Sequence, residues 1–460
     1  MAKRLQKEDL NDEQQHALEF IMEFIDDPAR RQMLLYGAAG TGKTSLINVL
    51  LDELDRRPED QAPKYICTAP TNKAVEVIAE RTGRDYRQTI YSIMGLVLID
   101  YNDQKPKLKK ERDGSLDRYE LLIVDEASMV SLQLLNEIQR QLQLCTAVKV
   151  IYVGDRCQIP PVEDANNGMM ESIIFQLPIK VELTKVMRTA DENPILGVVT
   201  KMRENMKSPV DLFEHKTAVA ESGIGIWFEQ YEKAFMNQMI SYFVSDEYKQ
   251  NTNYALAVAW TNAAVDAINT RVRKAIYPDT DLEYEVGEEI RVTKTYGIDR
   301  RVGHGTIYNV VYPVEQRLKV HTVERMEDPA YHIPCYKMYV AGKNVPANTV
   351  YVVSSDGMEA YEKFKMELAE KCREKAKMLD RNGHRLYTSK DAWKEYTEFT
   401  HWYMWPGYIY ALTAHKSQGS TIENVFVIER NINRIEEDEL RNKLKYTAFT
   451  RASKELHVLI

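Results

Sequence analysis

Four apolar runs mark the first 180 residues: Met33 to Tyr36, Tyr65 to Ala69, Leu121 to Val124 and Val148 to Val153, separated by stretches with helical spacing of apolar positions. Short uninterrupted apolar runs read as strands buried on both faces, and helices between them imply parallel crossovers. The pattern predicts a doubly wound α/β layer. Between Ile99 and Tyr119 it lapses into a polar segment that ends in the turn signal Asp113-Gly114, read as a small inserted hairpin.

Beyond Arg188 the pattern is mainly helical to about residue 250, where the apolar strand Tyr254 to Trp260 opens a second sheet. From Val286 to Val353 short β-rich runs and turns predict an all-β insert. A charged helical segment, Glu359 to Arg381, and an aromatic-rich one, Trp393 to Trp405, follow it. Strand patterns then resume at Tyr408 to Leu412, Val425 to Glu429 and His457 to Ile460. The expected division is therefore a first α/β domain of 1–98 and 120–187 with an insert at 99–119, and a second of 188–283 and 407–460 with an insert at 284–406. There is no short-period repeat or low-complexity tract.

Composition adds little until charge is considered. The 460 residues, 44% hydrophobic and 28% charged, have an ordinary globular mix, which excludes wholesale disorder and collagen-like classes. No apolar run approaches the roughly 18 residues of a membrane helix, and the polar start lacks the apolar stretch of a signal peptide. Five scattered cysteines without a C-x-x-C pair suit a reducing compartment and no zinc site, so the expected location is the cytoplasm, with no membrane partner. The formal net charge of -8, taken alone, argues against a partner held by bulk positive charge, nucleic acid included.

The segment Gly37-Ala38-Ala39-Gly40-Thr41-Gly42-Lys43-Thr44 fits G-x-x-x-x-G-K-[ST], follows an apolar strand and runs through Ser45 into a helical stretch. In that setting backbone N–H groups curl around phosphate, Lys43 supplies a point charge to it, and the Thr44 hydroxyl can ligate Mg²⁺. Such a loop implies ATP or a related nucleotide. Leu121 to Val124 delivers Asp125 and Glu126 to the same sheet edge, Asp125 suited to the metal and Glu126 to polarising an attacking water. A third strand ends in Gly154-Asp155-Arg156-Cys157-Gln158, where Gln158 is placed to sense the γ-phosphate.

Together these segments resemble motifs I, II and III of superfamily 1 helicases, and the resemblance extends over most of the chain. Gln14 is similar to the Q motif that contacts adenine, and Thr68-Ala-Pro70-Thr71-Asn72 to motif Ia, which grips the single strand. Thr89-Ile-Tyr91 resembles motif Ib, with Tyr91 where relatives often carry His. Leu183 to Arg188 resembles motif IV, Thr413-Ala-His415-Lys416-Ser-Gln418-Gly419-Ser420 motif V, and Tyr446 to Arg451 motif VI. The pattern is that of superfamily 1B, the RecD/Pif1-like helicases, and is most similar to the bacteriophage Dda group.

The resemblance implies an α/β fold of two RecA-like P-loop NTPase domains, with a β-hairpin pin in the first and an SH3-like β-rich insert in the second. It implies ATP and Mg²⁺ as cofactors, single-stranded DNA and a DNA fork as partners, a single-strand-binding or other replication protein as a further partner, and a monomer. Gly419, Arg188 and Arg451 join the ATP site, the two arginines offsetting charge that spreads over the γ-phosphate oxygens. Pro70, Thr71, Asn72, Thr89, Tyr91, Thr413, His415, Lys416 and Ser420 form the expected DNA track, whose phosphate contacts need read no sequence. Lys105, Lys107, Lys109, Lys110 and Arg112 make the hairpin basic, as either a strand-separating pin or a solvated surface. Trp393, Tyr396, Phe399, Trp402, Tyr403 and Trp405 either stack on bases or pack the insert's own core.

The resulting expectation is an ATP-dependent DNA helicase moving 5′ to 3′, in replication or recombination. The alternatives are an RNA-directed or duplex-remodelling translocase, a small-molecule kinase and a nucleotide-gated module without catalysis. A kinase has no need of motifs V and VI, and a module without catalysis would be expected to lack Lys43, Glu126 or Arg451. The charge of -8 is then compatible with nucleic acid if the acidity lies outside a local track of donors, with binding that weakens steeply as salt rises.

Overall fold

The computed structural model describes residues 5–99, 107–110, 113–185, 193–211, 213–302, 306–379 and 386–460. The chain forms two units, Met1–Ile276 with Tyr410–Ile460, and Tyr277–Ile409.

The first unit opens with helix α1 (Asp12–Asp26), started by a reciprocal cap in which Asn11 Oδ1 accepts from Gln14 N–H and Gln14 Oε1 accepts from Asn11 N–H. Strand β1 (Gln32–Gly37) leads through the glycine-rich turn to helix α2 (Lys43–Asp55), and β2 (Tyr65–Thr68) leads to helix α3 (Asn72–Thr82). Strands β3 (Leu96–Ile99) and β4 (Lys107–Lys110) form a separate antiparallel pair. Strands β5 (Leu121–Val124), β6 (Lys149–Gly154) and β7 (Lys180–Leu183) complete a parallel sheet of order β2-β5-β6-β1-β7.

Both faces of that sheet are covered, which is why its strands read as continuous apolar runs. Met33, Leu35, Ile151 and Val153 pack with Leu18, Ile21, Phe24 and Leu50 on one side. Leu34, Val150 and Tyr152 pack with Leu134, Leu135 and Ile138 of the Leu132–Leu144 helix on the other. Each fully buried aliphatic or Phe side chain contributes about 1.5–3 kcal/mol.

From residue 193 to 250 helices predominate, as expected, but two strands stand among them. Beyond the helix Pro194–Glu204, strands β8 (Ala218–Val219) and β9 (Gly225–Glu229) precede the helix Glu232–Phe243 and strand β10 (Ala255–Ala259). β9 escapes notice in the sequence because it is five residues long and takes its parallel partner from the last strand of the chain.

The second unit contains β11 (Glu289–Val292), a hairpin of β12 (Tyr296–Val302) and β13 (Thr306–Tyr312), then β14 (Arg317–Glu327), β15 (Pro334–Gly342), β16 (Val345–Val353) and β17 (Pro406–Tyr408). Five of these form an antiparallel sheet of order β16-β15-β14-β11-β17. The helices Met358–Lys377 and Lys394–Trp402 pack through an aromatic core. Phe399 is fully buried and lies 4.8 Å from Tyr331 and Phe364 and 5.0 Å from Tyr361, ring centre to ring centre. Tyr351 and Trp402 stack at 5.5 Å. The aromatic-rich segment is thus occupied in packing its own unit.

The apolar run from Tyr408 to Leu412 is not one strand. β17 ends at Tyr408 in the antiparallel sheet, and β18 (Ala411–Thr413) belongs to the second parallel sheet, with β19 (Ile422–Ile428) and β20 (Ala452–Leu459). The order there is β18-β10-β19-β20-β9-β8, parallel except for β8. Leu256, Val258, Val425, Val427, Leu456 and Val458 pack against Val199, Met202 and Leu444. Among the described residues no helix is long and apolar enough to cross a membrane.

Candidate nucleotide site

A cavity of about 570 Å³ lies, within the first unit, between the carboxyl-end loops of the first parallel sheet and the segments that enter β19 and β20 of the second. It falls in the size range of small-molecule sites. Its walls include Gln14 from α1, Ala39, Gly40, Gly42, Lys43, Thr44 and Ser45 from the turn after β1 and the start of α2, Asp125, Glu126 and Gln158 from beyond the strand ends beside it, and Gly419 and Arg451 from the second sheet. Segments hundreds of residues apart therefore meet as the sequence motifs require.

The turn after β1 is shaped by glycines: Gly40 and Gly42 sit at φ 83° and 80°, in the left-handed region that side chains disfavour. Thr41 is fully buried and donates its hydroxyl to the Ala38 carbonyl at 2.9 Å. Lys43 Nζ donates to the carbonyls of Gly37 and Ala38 at 2.7 and 2.8 Å. Burial pushes its ammonium below the ordinary lysine value, against the pull of Asp155 and Asp125. Gln14 donates through Nε2 to the Thr41 carbonyl at 3.0 Å, so it buttresses the turn as well as lining the cavity.

Asp125 and Glu126 take different backbone shapes. Asp125 Oδ1 accepts from the Glu126 N–H at 2.8 Å, while Glu126 lies at φ 52° and ψ 43°, unusual for a residue with a side chain. That conformation costs of order 1–3 kcal/mol and persists where the surroundings enforce it. Burial, then the neighbouring Asp125 charge, raises the Glu126 carboxyl to about 6, and burial also raises Asp125. Thr44 and Asp125 border one small internal cavity beneath the site.

The second sheet contributes a close-fitting set of contacts. Tyr446 donates to Asp155 Oδ2 at 2.5 Å and accepts from the Ala39 N–H at 3.2 Å. Thr447 Oγ1 accepts from the Ile159 N–H at 3.2 Å, and Lys443 Nζ donates to the Arg156 carbonyl at 2.8 Å. Gln418 Nε2 donates to both Gln158 Oε1 and Ser128 Oγ at 2.9 Å. Arg451 is 6% exposed and is held by the carbonyls of Thr447 and Ser420. Burial lowers its guanidinium value, and the Glu126 charge opposes that shift.

Arg188, Lys105 and Arg112 lie outside the described residues. Lys107, Lys109 and Lys110 fall on β4. Of the expected DNA track, Thr71, Thr89 and Thr413 are helix N-caps whose hydroxyl oxygens accept from Ala74, Ser92 and Lys416 N–H. Pro70 is buried, Asn72 opens α3, and Tyr91 is partly buried against the first sheet's core, with its hydroxyl pushed to about 12 by desolvation. His415 is partly buried and is lowered by desolvation, while Lys416 beside it is exposed. Ser420 is only 7% exposed and lines the nucleotide cavity rather than an open track.

Sequence reasoning missed Ala74, Val77 and Arg81, which line the cavity from α3. Their i, i+3, i+7 spacing after motif Ia marks one helix face and was the available signal. It also missed Leu196 and Val199, placed in the wall by a helix that follows motif IV.

Residues 9–223 match the family model described as AAA domain, and residues 408–459 match UvrD-like helicase C-terminal domain. The chain is 28% identical to the ATP-dependent DNA helicase dda of Enterobacteria phage T4 over 96% of its own length and 98% of that protein's. It is 25% identical to the RecBCD enzyme subunit RecD of Mycobacterium tuberculosis over 43% of this chain and 37% of that one. A structure of the Bacteroides Pif1 helicase with ADP-AlF3 and single-stranded DNA aligns over 96% of this chain and 91% of its own, at 17% identity and a TM-score of 0.48. Nine motifs in order, two largely parallel sheets meeting at one nucleotide cavity and a helicase relative aligned almost end to end fit the pattern of superfamily 1B, the RecD/Pif1-like helicases, which the chain resembles.

Proposed function

We propose that the chain is an ATP-dependent DNA helicase that moves 5′ to 3′ on single-stranded DNA and separates duplex. The observation that carries this is the convergence of Lys43, Asp125, Glu126 and Gln158 from one sheet with Arg451 from the other on one cavity. A P-loop enzyme that acts without opening and closing needs no cation from a second sheet, whereas a motor does.

In the proposed cycle ATP lies on the turn 37–44, with Gln14 toward the base and Lys43 moving from the Gly37 and Ala38 carbonyls to the phosphates. Thr44 and Asp125 both line the nucleotide cavity and offer hard oxygen donors, so these two residues would hold Mg²⁺, which would neutralise phosphate charge when bound. Glu126 takes the proton of the attacking water, Gln158 orients toward the γ-phosphate, and Arg451, joined by Arg188, stabilises the transferring group. Glu126 and Arg451 line the same cavity, and the charge of each opposes the shift that burial imposes on the other.

The DNA track is proposed along the ends of α3 and of the Ala414–Ser417 helix, with Thr71, Asn72, Thr89, Thr413, His415 and Lys416 as phosphate contacts and β3–β4 as the separating pin. Capping threonines use an oxygen lone pair and keep the O–H to donate. The five cysteines are free, which suits action in a reducing cytoplasm, as a monomer at a fork coated by single-strand-binding protein.

Unwinding of partial duplexes carrying a 5′ or a 3′ single-stranded tail tests the reading. ATP-dependent strand separation of the 5′-tailed substrate alone is expected. Separation of the 3′-tailed one overturns the direction, and ATPase activity stimulated by RNA but not DNA overturns the substrate.

A further inference from the structure

Helix α3 has one end in motif Ia and the other in the nucleotide cavity. Ala74, Val77 and Arg81 share its cavity face, and motif V runs along that face. A Cβ added to Gly419 would stand 3.2 Å from Ala74 Cβ, and the Gly419 backbone is left-handed at φ 77°, so a glycine is required for this approach. Two turns further on, Arg81 Nη2 donates to Thr421 Oγ1 at 2.7 Å. Its other terminal nitrogen, Nη1, lies 3.4 Å from Thr44 Oγ1. The same residue's carbonyl accepts from Asn48 Nδ2 of α2 at 3.1 Å, which fixes the end of α3 to the helix that starts at the P-loop lysine. The Arg81 charge is felt at both Asp125 and Arg451, on opposite sides of the cavity.

One guanidinium thus spans the P-loop hydroxyl suited to the metal and a threonine of motif V on the other sheet. The planar fork of arginine presents two terminal nitrogens at a fixed separation, one toward each threonine, where a lysine offers a single nitrogen. We infer that Arg81 is a positioning residue of the ATPase cycle, joining Thr44 to Thr421 so that occupation of the P-loop is passed through α3 and motif V to the strand-binding end. This rests on the helicase reading above. A new nucleotide or metal contact at Thr44 competes directly with the Arg81 hydrogen bond, and the helix that bears Arg81 begins at Thr71 and Asn72.

The test uses the full chain with Arg81→Ala, Thr421→Val, the double variant and Arg81→Lys, and measures ATPase kinetics with and without oligo-dT, together with oligo-dT affinity and melting temperature. Arg81→Ala and Thr421→Val are each expected to lower strand-stimulated kcat by about tenfold with KM for ATP changed less than about threefold, and the double variant to be no worse than either single one. Arg81→Lys, keeping one of the two contacts, should recover part of the loss. Multiplying losses in the double variant, a rise in KM alone, or unchanged kcat in Arg81→Ala would each overturn the assignment. Thr421→Val removes only a surface hydroxyl and keeps the test open if Arg81→Ala folds poorly. Full ATPase activity in Lys43→Ala defeats the ATPase reading itself, whereas its loss there beside wild-type kinetics in Arg81→Ala defeats only the role of Arg81.

Discussion

The Tyr446 hydroxyl donates a 2.5 Å hydrogen bond to Asp155, a carboxylate 1% exposed, and so ties motif VI on the second sheet to motif III on the first. Burial and then the Asp155 charge raise the Tyr446 hydroxyl well above its ordinary value, which keeps it a neutral donor. The same oxygen accepts from Ala39 in the P-loop. Tyr446→Phe leaves ring packing intact and strips a buried carboxylate of this donor. A loss of about 1–3 kcal/mol is expected in denaturant unfolding, with reduced ATPase activity. Unchanged stability and activity would remove the tyrosine from the coupling between the two sheets.

Glu126→Gln should retain ATP binding while lowering turnover at least about a hundredfold, the scale of a general base. Wild-type kcat should rise through about pH 6 as the Glu126 carboxyl ionises. Folding stability runs the other way. A carboxyl raised from 4.5 to about 6 favours the fold below pH 4.5 and loses that contribution as pH climbs through 6. Opposite slopes of activity and stability across that window, both absent in Glu126→Gln, are the signature to measure.

The helix Asp438–Phe449, which bears Tyr446 and leads to Arg451, is anchored by a buried ion-pair group. Lys445 Nζ lies 2.7 Å from Glu429 and 3.0 Å from both oxygens of Asp211, and His215 Nε2 lies 3.6 Å from Glu429. Burial pushes the Glu429 carboxyl up, but the nearby His215 ring and the Lys445 charge hold it below the ordinary value. Lys445→Met should destabilise by about 3–5 kcal/mol, because a buried carboxylate loses its partner. The Glu429 carboxylate beside it raises His215 above 6.5, so its contribution is complete below pH 6.5 and fades as pH rises through the raised value. His215→Gln should flatten that part of the stability curve.

Phe399→Ala should cost about 3–5 kcal/mol in the second unit while leaving oligo-dT affinity nearly unchanged, since the ring is fully buried among Tyr331, Tyr361 and Phe364. Weakened strand binding without loss of stability would instead return this aromatic segment to a base-stacking role.

By itself the sequence determined the two α/β layers and most of the nucleotide site. The β1, β5 and β6 cores are apolar on consecutive positions because both faces are covered, and the glycines of the P-loop, Asp125 and Glu126 follow strands directly, so local order already carries the chemistry. Strand β9 was not legible, since its parallel partner stands at the far end of the chain, nor was the division of 408–412 between β17 and β18, because one apolar run can serve two sheets. Arg81 was hidden for the same reason. An arginine in a polar helix is ordinary until Thr44 and Thr421, far away in sequence, are brought within reach of its guanidinium. Ser420 shows the converse, a residue of the right type and motif whose side chain the tertiary structure turns inward. Local spacing fixes which residues an element presents, while long-range packing alone decides what each of them meets.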